Sequence, residues 1–194
     1  HSVAFDSIGG ANGSMGIDMG DFNGDLLPDL WVANYEQESF ALYENRGKGS
    51  FLHVSDKTGV TSLGGLFVGF GTLFWDLDLD GDEDLVVANG HVIKYPASKR
   101  VNQLPLLLIN EDSSRYIRKK FTPGDGYFGT PHSGRGLAIG DLDEDGDADL
   151  VFSNNVQPAA IVANQTSNQN HYVRVRLIGR TGNRDAVGAS LVLH

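Results

Sequence analysis

Three nine-residue stretches of this chain carry an oxygen-bearing side chain at their first, third, fifth and ninth positions: residues 21–29 (DFNGDLLPD), 76–84 (DLDLDGDED) and 141–149 (DLDEDGDAD). Carboxylates packed this closely repel one another unless a cation sits among them, and a hard cation taking about six to eight oxygens suits them. The expected ligands are Asp21, Asn23, Asp25 and Asp29 in loop one, Asp76, Asp78, Asp80 and Asp84 in loop two, and Asp141, Asp143, Asp145 and Asp149 in loop three. The seventh residues, Leu27, Asp82 and Asp147, are expected to offer backbone carbonyls. Calcium is the expected ion, because magnesium demands a strict octahedron and sheds its water reluctantly.

The charge distribution supports this reading. Fifteen of the 25 acidic residues lie within the three loops, so the formal net charge of -10 is local, and three divalent cations would bring it to -4. Nucleic acid is excluded as a partner, since phosphate contacts need clustered Lys and Arg, and the one basic cluster here is Arg115, Arg118, Lys119 and Lys120.

An EF-hand shares the opening spacing but closes with a Glu at its twelfth position between helices. Here the twelfth positions are Val32, Val87 and Phe152, within the apolar runs 30–34, 85–89 and 150–154. Upstream lie the Gly-interrupted runs 16–20, 69–75 and 134–140. Short runs of this composition read as strands, which makes each acidic loop the tip of a β-hairpin. The sixth loop residue should be Gly for a sharp turn; Gly81 and Gly146 fit and Leu26 does not. With Asn23 also removing one charge, loop one is expected to be the weakest site, with Gly24 absorbing part of the strain.

The loops recur at intervals of 55 and 65 residues, and further strands recur with them: 41–54 (a strand, a turn and a strand), 106–110 with 116–121, and 160–164 with 171–178. The chain therefore reads as all-β, three four-stranded antiparallel units over 1–61, 62–123 and 124–180, with 181–194 left over. Periodic units of this kind suggest the blades of a β-propeller.

The Asp-x-Asp-x-Asp-Gly-x-x-Asp-Leu loops, the segment Leu42-Tyr43-Glu44-Asn45 with Gly47-Lys48-Gly49-Ser50-Phe51, and the Gly-rich strands before the loops resemble integrin-like FG-GAP (VCBS-type) repeats. Asn164, the stretch 171–179 and Asn183-Arg184-Asp185-Ala186-Val187-Gly188-Ala189 are similar to the start of the ASPIC/UnbV domain that follows such repeats in the cartilage acidic protein family and its bacterial relatives. The resemblance implies a calcium-binding β-propeller, extracellular or in the bacterial envelope or periplasm, with roles mostly in adhesion and interaction. Three blades cannot close a ring, so the chain reads as a C-terminal piece of a longer protein, with open flanks on its first and last blades that offer self-association.

Zero Cys excludes disulfides and thiol metal sites, and no run approaches the roughly 20 apolar residues of a membrane helix. Three functional readings stay open. One is a structural and interaction module whose face binds protein or glycan. Another is a polysaccharide-acting enzyme, for which His91, His132 and Arg135 would have to converge in one cleft. The third is a carbohydrate-binding module using aromatics such as Trp31, Tyr35 and Phe40, although Trp31 and Trp75 lie on expected strands and read better as core. Arg135 is expected to pair with a carboxylate such as Asp149 or Asp84.

Overall fold

A computed structural model describes residues 3, 5, 6, 8–96, 99–166, 173 and 175–192 and arranges them as three antiparallel sheets. Sheet one is β1 (Gly16–Gly20), β2 (Asp29–Ala33), β3 (Ala41–Asn45) and β4 (Phe51–His53), paired in chain order. Sheet two repeats that order with β5 (Gly69–Trp75), β6 (Asp84–Asn89), β7 (Leu106–Glu111) and β8 (Arg115–Arg118). Sheet three has β9 (Gly134–Gly140), β10 (Asp149–Asn154) and β11 (Ala160–Val162). Each acidic loop joins the first two strands of its sheet, and the hairpin register closes on the ninth Asp: Gly20 faces Asp29, Trp75 faces Asp84 and Gly140 faces Asp149.

The fourth strand expected at 171–178 is not formed in the described residues. Val173 and 175–178 carry no strand and Val173 is exposed, while 171, 172 and 174 lie outside the description. The alternating Val-Arg-Val-Arg pattern is a local strand signal, but a strand also needs an edge to pair with and a face to cover. Here the edge is the three-residue β11, with Ile161 exposed on it.

Sheet two lies between the other two, which explains why β6 is buried along its whole length. Leu85, Val87, Leu106 and Leu108 enter a core with Trp31, Phe40, Leu42 and Phe74. Val86, Ala88 and Leu107, on the opposite face, enter a second core with Leu73, Phe128, Leu150 and Phe152. A 3-10 helix at Val60–Leu66, not expected from the sequence, connects sheets one and two and adds Val60 and Leu63 to the first core.

The first strands of successive sheets pack side by side, β1 against β5 and β5 against β9. Glycine makes this approach feasible: a Cβ on Gly16 would fall onto the Phe70 carbonyl, and one on Gly71 onto the backbone of Gly136 and Leu137. The outer face of sheet one leaves Ile17 and Met19 exposed. The N-terminal segment reaches this face, where Phe5 O accepts from the Tyr43 hydroxyl at 3.3 Å.

Trp31 is core, as expected, but Trp75, the last residue of β5 beside the acidic loop, is 44% exposed. No helix among the described residues is long and apolar enough to cross a membrane.

Candidate metal centres

The three loops share one internal scaffold. In loops one and two the first Asp accepts from the amides of residues five and six: Asp21 from Asp25 (3.0 Å) and Leu26 (2.7 Å), Asp76 from Asp80 (3.0 Å) and Gly81 (3.0 Å). The fifth Asp accepts from the seventh amide in all three: Asp25 from Leu27 (2.9 Å), Asp80 from Asp82 (2.9 Å) and Asp145 from Asp147 (3.0 Å). Each carboxylate thus folds its own loop inward around the neighbouring acids.

This path needs two left-handed residues per loop, at positions four and six. The φ angles are 70° and 67° for Gly24 and Leu26, 57° and 98° for Leu79 and Gly81, and 62° and 100° for Glu144 and Gly146. Every loop places one glycine and one ordinary residue at these positions, and loop one has them in reverse order. Leu26 therefore adopts the turn at some cost instead of abolishing it, and the expectation that position six must be Gly is corrected to one glycine at either place.

In loop two, one oxygen from each of Asp76, Asp78 and Asp80 lies within 4.8 Å of the others, and Asp141, Asp143 and Asp145 do the same in loop three. Oxygens binding one calcium at about 2.4 Å are separated by at most about twice that distance, so both triads fit one hard cation. In loop one, Asn23 stands in the triad and its amide donates to Asp25 at 3.3 Å and to Glu44 at 3.4 Å. The Asp82 side chain turns away from its loop to accept from the amide and hydroxyl of Ser113.

The ninth Asp is buried in every loop and holds it to the rest of the sheet. Asp29 accepts from Phe22 N (3.1 Å) and Asn45 N (2.7 Å), Asp84 from Leu77 N (3.3 Å) and Asn110 N (2.9 Å), and Asp149 from Leu142 N and Asn164 N (both 2.9 Å). Burial raises the carboxyl of Asp29 to about 6 and that of Asp84 to about 7, against the pull of those amide donors. Burial and neighbouring carboxylates also raise Asp76 and Asp78. These groups resist ionising without a cation nearby.

Asn45, Asn110 and Asn164 were not singled out by sequence reasoning as site residues. They follow the ninth Asp at unequal distances, so no fixed-spacing motif finds them. Each does close an apolar run at a matching place (Leu42-Tyr43-Glu44-Asn45, Leu107-Leu108-Ile109-Asn110, Ile161-Val162-Ala163-Asn164), and that was the available signal.

At the other end of the sheets, His91, His132 and Arg135 are neighbours whose side chains do not converge. Arg135 donates to the carbonyls of Gly90 (3.1 Å), Gly134 (2.7 Å) and His91 (3.0 Å) and lies 4.2 Å over the Phe70 ring, so the expected pairing with Asp149 or Asp84 is replaced by backbone and ring contacts. His132 stacks on Tyr127 at 3.8 Å. His91 accepts from Ile93 N on Nδ1 (3.0 Å), which leaves Nε2 to carry the proton 2.9 Å from Glu36. Of the aromatics offered as a glycan platform, Trp31 and Phe40 are buried and pack edge to face at 5.6 Å.

An all-β array of hairpin sheets tipped by acidic loops is thus the class that fold and site define. Residues 21–87 match the family model of the FG-GAP-like repeat, from the first Asp of loop one into β6 beyond loop two, which supports an FG-GAP repeat in that segment. No curated protein matches the chain.

Proposed function

We propose that the chain is a calcium-binding FG-GAP repeat module with a structural or adhesive role, its three sheets being blades of an integrin-like propeller in the units 1–61, 62–123 and 124–180. The observation that carries the reading is the pair of carboxylate triads, Asp76, Asp78, Asp80 and Asp141, Asp143, Asp145, each compact enough for one hard cation. The ligands proposed are those of the sequence reading, with loop one the weakest. Side-by-side first strands support the propeller, and the resemblance of Asn164, 171–179 and 183–189 to the start of an ASPIC/UnbV domain supports 181–194 as the start of that region.

Bound calcium would cancel the repulsion that opposes hairpin closure, so binding free energy would appear as folding free energy. Such loops stay filled where calcium is plentiful, which favours an extracellular or envelope location, with protein or glycan as partner and self-association through the sheet-one face that carries Ile17 and Met19. The test is a thermal melt in calcium, in magnesium and in excess chelator, with bound metal counted by elemental analysis. Calcium-specific stabilisation with close to three ions per chain supports the reading; no shift and no metal sinks it.

A further inference from the structure

Loops one and two are joined by two hydrogen-bonded links that run from the second sheet into the first. Glu83, the eighth residue of loop two, accepts from the backbone N–H of Asp21, the first residue of loop one, at 2.6 Å. Asn110, at the end of β7, donates from its side chain to the carbonyl of Phe22 at 2.9 Å, while its own backbone N–H donates to Asp84 of loop two at 2.9 Å. The same Asn110 amide reaches Glu83 O at 3.3 Å, and Tyr116 donates to that carbonyl at 2.9 Å, so the Glu83 backbone is fixed from two sides.

Both links are built in. Asn110 is 1% exposed. Gly20 leaves room for the carboxylate, since a Cβ there would fall on the Glu83 carboxylate and the Phe74 ring. Phe22 N–H, in turn, donates to Asp29 at 3.1 Å. The backbone that presents the Asp21 side chain is therefore held on one side by its own sheet and on the other by loop two.

The junction between loops two and three keeps only half of this arrangement. Asn164 donates to Leu77 O at 2.8 Å while its N–H donates to Asp149 at 2.9 Å, repeating the Asn110 geometry. The residue matching Glu83 is Ala148, which has no carboxylate, and the residue matching Gly20 is Trp75, which carries a large side chain where Gly20 has none.

We propose that Glu83 and Asn110 are positioning residues through which metal occupancy of loop two sets the metal affinity of loop one. The inference rests on the metal reading above. Closing loop two around an ion fixes Asp84 and the Glu83 backbone, hence Asn110 and the Glu83 carboxylate, hence the Asp21–Phe22 backbone of the loop least able to organise itself. Among the described residues the side-chain link between loops two and three is that of Asn164, so coupling there is weaker. By linkage the effect is reciprocal, so loop one must also favour loading of loop two by the same factor.

The experiment is a calcium titration of the full chain followed by the backbone amide resonances of Gly24, Gly81 and Gly146, one in each loop. In Asp80→Ala, which disables loop two, the half-saturation point of Gly24 is expected to rise at least about 5-fold, the lower end of usual coupling, with a smaller change at Gly146. Asp25→Ala should raise the Gly81 midpoint by a matching factor. Glu83→Ala, which gives loop two the residue loop three carries, should weaken loop one while leaving Gly146 unmoved. Independent midpoints at Gly24 in both Asp80→Ala and Glu83→Ala, with calcium still binding, would overturn the coupling and leave the metal reading intact. No calcium-dependent movement at any of the three glycines in the unaltered chain would overturn both.

Discussion

The indole N–H of Trp31 donates to the hydroxyl of Thr72 at 2.6 Å, and that hydroxyl donates onward to Val86 O at 2.9 Å. A single part-buried chain of donors thus runs from the fully buried Trp31 on β2 of sheet one through β5 into β6 of sheet two, across the junction that forms the first core. Thr72→Val keeps the volume and removes the acceptor, leaving the indole N–H buried without a partner. The expected loss is about 1–3 kcal/mol in denaturant unfolding, the usual cost of such an orphaned group. An unchanged midpoint would mean that the sheets are held by packing alone.

Close approach of the first strands gives a sharper test at Gly71. A Cβ there meets the backbone of Gly136 and Leu137, which no side-chain rotation can relieve. Gly71→Ala is expected to destabilise the chain by at least about 1–3 kcal/mol, the range for overpacked cores, and to loosen sheet three from sheet two. Amide exchange of β9 faster than that of β1 would report that separation; equal exchange in both would contradict it.

Leu26 is highly exposed and adopts a φ of 67°. Its side chain contributes little packing, while its conformation costs a branched residue on the order of 1 kcal/mol. Leu26→Asn is expected to raise thermal stability by roughly 0.5–1 kcal/mol, because Asn tolerates the left-handed region. A decrease would show that Leu26 makes a contact that matters more than its backbone strain.

Asp80 and Asp145 each accept from the seventh-residue amide and lie beside two further carboxylates, so removing either in the metal-free chain loses one hydrogen bond but relieves repulsion, and in the loaded chain removes a ligand. Asp80→Ala and Asp145→Ala are each expected to lower the melting temperature in calcium and to have little effect in chelator. Equal losses in both conditions would assign these residues a packing role.

Acid should stabilise the metal-stripped protein through the ninth-position carboxyls. Asp29 and Asp84 titrate near 6 and 7 in the folded chain, above the ordinary value of 3.8. Below about pH 4 both folded and unfolded chains are protonated and neither group opposes folding. As pH rises to 7 the unfolded chain ionises first, so the advantage of the folded state is lost across that window and stays lost above it. Melting temperatures in chelator should therefore fall between pH 4.5 and 7.5 as far as these two groups decide them, whereas excess calcium, which needs the ionised forms, should reverse the trend. A metal-free profile that rises with pH would contradict the buried, protonated state of Asp29 and Asp84.

Much of the architecture could be read from local pattern. The hairpin around each acidic loop follows from apolar runs on either side of a turn, whereas the register, with Gly20, Trp75 and Gly140 facing the ninth Asp, came from the strand pairing itself. Among the described residues the fourth strand of the last unit does not form, because alternation alone supplies neither a partner edge nor a covered face. The expected Arg135 pairing fails for a related reason: its charge suggests a carboxylate, yet its place at the start of β9 puts the guanidinium over Phe70 and within hydrogen-bonding reach of the carbonyls of Gly90 and His91.

By itself the sequence determined the loops, since a nine-residue acidic turn contains its own first, third and fifth oxygens and folds them together through its own amides. Tertiary structure alone decided what the loops are attached to. Asn110 reaches Phe22 across 88 residues and Glu83 reaches Asp21 across 62. No periodicity encodes such distances, because they come into being only when two sheets pack and their loop ends are brought within hydrogen-bonding range.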